Sequence, residues 1–310
     1  MTSNTPAINN WHSEAQRVAH GIRRRVLEHT INNNGGYLSQ ACSSAETFSV
    51  LYTRVMNLGP GAGPMVPEPF QGVPGPQNPG YQTGARYNGP KAPDLDQLIF
   101  SPAHYALVLY ATLIEVGRMG AEGLKQFNQD GSTVEMIGAE HSPGVETTTG
   151  SLGQALSQAG GIALARKLRG DAGRVWVYMT DGEFQEGQTW EAFQVLSHYK
   201  LDNLGVYVDV NAHQCDGLMT DVMTTEPIKS RLETFGARVF EVDGHDLDAL
   251  AAPAELKPDG RPLVVLARTN TWQGMDFLRQ REPKMHYVRF QSNEERQIFS
   301  DELERLFPPE

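Results

Sequence analysis

The sequence has little of what marks secreted, membrane-spanning or nucleic-acid-coating chains. It holds two cysteines, Cys42 and Cys215, in 310 residues. That rules out a disulfide framework, and without a secretory signal the pair reads as reduced thiols of a cytoplasmic protein. Residues 1–10 are polar and lack the apolar stretch of a signal peptide. No apolar run approaches the length of a transmembrane helix, so no membrane association is expected. No internal repeat is present, which argues against a solenoid or propeller. Positive charge is also scarce: 26 basic residues face 37 acidic ones, for a net charge of −11. Such a balance argues against nucleic acid or an acidic membrane as a partner, while leaving room for a local phosphate pocket.

What remains is a soluble globular composition, 39% hydrophobic and 20% charged. Apolar runs at 96–100, 174–179, 204–210, 237–242 and 262–268 read as strands. Between them lie segments of helical period, at 102–113, 152–168, 189–199 and 227–235. Further helices are expected at 12–30, from Ser44 to Val55, and at 292–306. Alternating strands and helices predict an α/β fold, a doubly wound, mostly parallel sheet with helices on both faces. The expected organisation is a flexible tail over 1–11, then a single domain over 12–310. Residues 58–93, dense in Pro and Gly, cannot form a long helix or a central strand. They read either as an excursion packed on the body or as a lid or subunit contact. Arg23-Arg24-Arg25 reads as a solvated or salt-bridged helix face, with phosphate binding as the alternative.

The chemistry concentrates in the stretch from Arg174 to Gly217. One strand ends in Thr180-Asp181-Gly182-Glu183, a helix follows, and the next strand ends in Asn211. In a parallel sheet, both ends lie on the edge where such sheets bind ligands. A carboxylate and an amide there suit a divalent cation with oxygen ligands, and the cation suits a diphosphate.

This stretch resembles the thiamine-diphosphate signature, which opens Gly-Asp-Gly and ends in Asn at this spacing, with Thr180 in place of the first glycine. The phrases EGQTWEA, YKLDNL, QCDG, PGVETTTGSLGQALS and DQLIFSPAHYALVLYATL resemble the N-terminal portion of transketolases. The resemblance implies a thiamin diphosphate-binding fold, with thiamine diphosphate and Mg2+ (or Ca2+ or Mn2+) as cofactors. It implies Asp181, Asn211 and the His213 backbone carbonyl as metal ligands. His104, Gly150, Leu152, Asp181, Gly182, Glu183, Asn211 and His286 are implied around the cofactor. His104 and His286 are implied to handle protons, and Glu186 to link two active sites across a dimer interface. Tyr37 stands where the family has a histidine, and His141 is a candidate to replace another. His245 reads as structural.

Transketolases also need a pyrimidine-binding domain, and none follows in this sequence. The resemblance therefore implies a split enzyme. This chain would be the N-terminal subunit, working with a separate C-terminal transketolase subunit, in an α2β2 assembly. The implied reaction moves a two-carbon ketol unit from a ketose phosphate, or a similar anionic sugar, to an aldose. Alternatives are a subunit of a 2-oxo acid dehydrogenase E1 or a deoxyxylulose-phosphate synthase, or a non-catalytic diphosphate-binding regulator.

Overall fold

The computed structural model describes residues 11–308. The tail expected over 1–11 lies outside the described residues except for Trp11, which already opens the first helix. In chain order the principal elements are α1 (Trp11–Asn32), α2 (Leu38–Val50), β1 (Gln97–Phe100), α3 (Ala106–Glu115), α4 (Ala155–Arg169) and β2 (Val175–Thr180). They continue with α5 (Gly187–His198), β3 (Leu204–Val210), β4 (His213–Gln214), β5 (Gly217–Leu218), α6 (Met219–Val222) and α7 (Ile228–Thr234). The last are β6 (Arg238–Asp243), α8 (Leu247–Ala251), β7 (Leu263–Arg268) and α9 (Asn293–Leu306).

Five strands form one sheet in the order β1-β2-β3-β7-β6, every neighbouring pair parallel. Strands β1, β2 and β3 are buried along their whole length, as a sheet covered on both faces requires. Helices α4, α5 and α7 pack on one face, through Ala159, Phe193 and Leu232. Helices α1, α2, α3, α8 and α9 cover the other, through Ile22, Phe48, Leu109, Leu250 and Phe299. The expected doubly wound fold is therefore present.

The strand order reverses between β3 and β7. From β3 the chain runs on to α7 on one face, and from β7 it runs on to α9 on the other. Connections that part to opposite faces leave a crevice at the carboxyl ends of the strands, the usual ligand position in such sheets.

Helix α2 begins earlier than its sequence suggests. Its sequence reads as opening at Ser44, whereas α2 starts at Leu38 and all 13 of its residues are buried. A helix enclosed on every side shows no polar face and hence no amphipathic period. Past Asn211 the chain closes into the small β4–β5 hairpin.

Residues 58–93 contain one short 3-10 turn, Gly84–Tyr87, and are packed onto the body. The Tyr87 hydroxyl donates to the Pro64 carbonyl, and Arg118 donates to the carbonyls of Tyr87 and Gly59. Buried Arg166 of α4 donates to the carbonyls of Ala92, Pro93 and Leu95, fixing the far end of the excursion.

The three consecutive arginines of α1 all meet carboxylates of this chain. Arg23 pairs with Glu46 at 2.6 Å, Arg24 with Glu28, and Arg25 with Glu115. Among the described residues no helix is long and apolar enough to cross a membrane.

Candidate functional site

Strands β2 and β3 run in register with Thr180 opposite Asp209. Asp181 and Asn211 therefore emerge together at the carboxyl edge of the sheet, each just past its strand. Both line a cleft of about 250 Å³, with Gly182, His213, His104, His286, Leu152 and Glu186. Eight of the residues expected at the site are thus gathered in one place.

Two expected residues lie elsewhere. Glu183 is fully buried and turned away from the cleft. Its carboxylate accepts from the Thr180 N–H (3.1 Å), the Ser101 hydroxyl (2.5 Å) and the Gly153 N–H (3.0 Å). It caps the turn that carries Asp181 and ties that turn to the 101 and 153 loops, so direct contact with a cofactor is not its place. Burial pushes its pKa up to about 7, against those three hydrogen bonds. Gly150, with φ of +106°, packs against Ala103 rather than lining the cleft. Its left-handed backbone explains the glycine. His141, a candidate replacement histidine, also lies outside the cleft. It bonds Glu135 at 3.0 Å and packs on Phe70 of the excursion.

The electrostatics of the cleft are one-sided. Asp181, Glu186 and Asp216 line it, and among the described residues no lysine or arginine does. Asp181 is 2% exposed and forms no ion pair among the described residues. Its Oδ2 accepts the Ala212 N–H at 2.8 Å. Burial first, and the charge of Asp209 second, raise its pKa to about 8.

Asn211 is held by two contacts. Its amide nitrogen donates to Asp209 Oδ2 and to the Tyr105 hydroxyl, both at 3.0 Å. That fixes which way the amide points: its Oδ1 accepts the His213 N–H at 2.9 Å. The His213 ring folds back, Nδ1 lying 2.8 Å from the Asn211 carbonyl.

Behind this pair sits a residue that no motif in the sequence marks. Asp209 is 1% exposed and gathers four donors: Ser43, Tyr105, Asn211 and Thr269. Its signal in the sequence is faint, one charge inside an otherwise apolar strand.

The histidines form the other wall. The rings of His104 and His286 are 5.0 Å apart, and Tyr37 lies 5.7 Å from the first and 5.5 Å from the second. Burial, with the neighbouring His286, lowers His104 to about 3. Burial lowers His286 as well. Both rings are neutral at pH 7, so each can donate at one nitrogen and accept at the other. Tyr37 thus packs against both histidines, at the position where the resemblance has a histidine. Gln40 was not expected there; its side chain donates to the His286 carbonyl at 3.2 Å.

A parallel sheet with an acceptor pair at its carboxyl edge and a cleft at the strand reversal defines an α/β protein that binds its ligand across the strand ends. The chain belongs to the transketolase family: residues 82–286 match its model, "Transketolase, thiamine diphosphate binding domain". A transketolase family protein of Sinorhizobium fredii is 34% identical over 280 residues, 89% of this chain and 90% of its own. An apulose-4-phosphate transketolase subunit of Actinobacillus succinogenes is 31% identical over 282 residues, 89% of this chain and 91% of its own. The solved transketolase from Campylobacter jejuni superposes with a TM-score of 0.74 at 24% identity, over 94% of this chain. It shares the fold, and this chain spans 43% of its length.

Proposed function

We propose that this chain is the cofactor-gripping subunit of a two-chain transketolase that uses thiamine diphosphate and a divalent cation, magnesium in the first instance. The observation that carries the reading is Asp181 beside Asn211 at adjacent strand ends, facing a cleft that has carboxylates but no lysine or arginine among the described residues.

The residues present fit the metal. A diphosphate placed against Asp181, Glu186 and Asp216 would meet only like charge, so something must supply positive charge. Asp181 without a cation is held toward its protonated form; a cation beside it returns it to the carboxylate. Asp181, Asn211 Oδ1 and the His213 carbonyl are three hard oxygen donors of the kind magnesium takes, with room left for diphosphate oxygens. When bound, thiamine diphosphate supplies the electron sink that lets a bond next to a ketone carbonyl be broken and remade.

The chain's own residues do the rest. Asp209 and Tyr105 hold the Asn211 amide so that its oxygen can face the ligand. Leu152 offers an apolar contact in the cleft wall. His104 and His286, neutral and side by side, hold or pass a proton at substrate hydroxyl and carbonyl oxygens. Tyr37, beside them, could donate a hydrogen bond to a ligand but not serve as an imidazole base. Glu186, exposed where it lines the cleft, would meet a neighbouring chain.

The split arrangement draws on lengths. This chain matches the Actinobacillus protein nearly end to end, yet spans less than half of the solved transketolase. A separate chain would carry the pyrimidine-binding half, and an α2β2 assembly fits a site shared between chains. The reaction would move a two-carbon ketol unit from a ketose phosphate, or a similar anionic sugar, to an aldose. With no lysine or arginine among the described residues of this cleft, cations for a sugar phosphate fall to the partner.

The test is reconstitution. Ketol transfer should require this chain, a C-terminal transketolase chain, thiamine diphosphate and magnesium together. Full activity from either chain alone, or without magnesium in a chelated sample, would refute the proposal.

A further inference from the structure

The Pro/Gly-rich excursion encloses a cavity of its own. It measures about 480 Å³ and shares no lining residue with the cleft at the sheet edge. Most of its lining precedes residue 82, where the match to the family begins. The chemistry proposed for the cleft therefore leaves this second cavity without a purpose.

Hydrogen bonds hold the chain around the cavity and keep it from collapsing inward. The Phe70 N–H donates to the Gly131 carbonyl at 2.9 Å, and the Thr133 hydroxyl to the Glu68 carbonyl at 3.1 Å. Gln126 donates to the Pro67 carbonyl at 3.2 Å. Across the cavity, the Asn78 amide donates to the carbonyls of Gln71 (3.0 Å) and Val73 (3.1 Å), closing a turn. The Gly84 N–H donates to the Glu140 carbonyl at 2.6 Å, an approach so close that a Cβ at Gly84 would lie 1.7 Å from the Ser142 carbonyl oxygen.

The lining sets what can enter. Phe70, Tyr81 and Tyr87 bring aromatic rings, and the His141 ring lies 4.5 Å from that of Phe70. Phe70 is 40% exposed, so a face of its ring is open to a ligand. The side chains of Gln71 and Gln82 bond nothing among the described residues, so both amides are free to donate and accept. The charged side chains of the lining are already matched: Arg86 meets Glu68 at 3.0 Å, and His141 lies 3.0 Å from Glu135. No unpaired cation remains in the described lining to hold a phosphate or a carboxylate. Aromatic faces flanked by free amides suit an uncharged ring with C–H groups on its faces and hydroxyls at its edge.

We infer that this cavity is a second small-molecule site, for an uncharged sugar, separate from the cleft that carries the chemistry. The sugar ring stacks on Phe70, and Gln71 and Gln82 bond its hydroxyls. The inference does not depend on the proposed cofactor.

The test is ligand-observed NMR titration of the full chain with D-ribose and D-glucose, against ribose 5-phosphate and inorganic phosphate. The native chain should bind at least one of the two sugars, with a Kd of about 1–10 mM, as suits a few neutral contacts. Magnesium pyrophosphate should not displace it. Phe70→Ala should weaken sugar binding at least about tenfold, and Phe70→Tyr, which keeps the ring, should stay within about threefold. Gln82→Ala, which breaks no bond within the described chain, should weaken binding roughly fivefold. The Phe70→Ala and Gln82→Ala chains should melt within roughly 2 °C of the native chain, because both side chains are exposed. Binding of neither sugar at about 50 mM would overturn the inference. So would undiminished affinity in both Phe70→Ala and Gln82→Ala, or displacement by magnesium pyrophosphate. A Phe70-dependent site that prefers ribose 5-phosphate or inorganic phosphate would overturn it too, since the ligand would then be an anion. Each of these failures leaves the reading of Asp181 and Asn211 standing, because the two sites have no lining residue in common.

Discussion

Replacing Asp209 by asparagine tests the layer behind the site. The carboxylate takes three donors on Oδ2, from Ser43 at 2.5 Å, Tyr105 at 2.7 Å and Asn211 at 3.0 Å, and Thr269 on Oδ1. In the variant, the least costly arrangement keeps the amide oxygen on the three-donor side and turns the amide nitrogen toward Thr269, whose hydroxyl can rotate to accept. Three hydrogen bonds to a charged acceptor then become bonds to a neutral one, losing about 1 kcal/mol each. Part of this is offset, because Asp181 loses the like-charged neighbour that helps raise its pKa. A net cost of about 2 kcal/mol follows, or a fall in melting temperature of roughly 4–6 °C by scanning calorimetry. The same change loosens the Asn211 amide, so affinity for magnesium thiamine diphosphate should drop at least about tenfold. An Asp209→Asn chain that melts at the native temperature and binds the cofactor undiminished would refute the reasoning that Asp209 orients Asn211.

Other expectations are as direct. Arg166→Met strips donors from the carbonyls of Gly173, Ala92, Pro93 and Leu95 and from the Gln97 side chain, and should cost about 3 kcal/mol. Limited proteolysis should then cut faster within 58–93, and an unchanged cleavage rate and melting temperature would contradict the anchoring role. His29 is held neutral, its pKa lowered to about 4 by burial. Above the ordinary histidine range, both folded and unfolded chains carry it neutral and stability is undiminished. As pH falls from about 6.5 toward 4 the unfolded chain binds the proton first, so stability drops by up to about 3 kcal/mol. His29→Phe should flatten that part of the pH–stability curve, and an identical acid limb in the variant would contradict the assignment.

Much of the sheet was legible because strands covered on both faces leave continuous apolar runs. Leu204–Val210 was located to the residue, and β2, β6 and β7 to within one. Asp181 and Asn211 were legible because a carboxylate and an amide end two such runs at a set spacing. Helix α2 was misplaced at its start, since full enclosure erases the helical period that would have announced Leu38 to Ser43. Asp209, Ser43 and Tyr105 act through tertiary contacts between segments far apart in the chain, and no local pattern reports those. Glu183 shows the converse: its place in the motif suggested cofactor contact, whereas the capping geometry that directs it inward depends on Ser101 and Gly153 arriving from elsewhere.

The central claim is that a cation between Asp181 and Asn211 holds a diphosphate. Calorimetric titration of the native chain and of Asp181→Ala with thiamine diphosphate, each with magnesium and with chelator, tests it most directly. The account predicts magnesium-dependent binding by the native chain and none by an Asp181→Ala chain that remains folded. Equal affinity in the two chains, or native binding indifferent to magnesium, would contradict it.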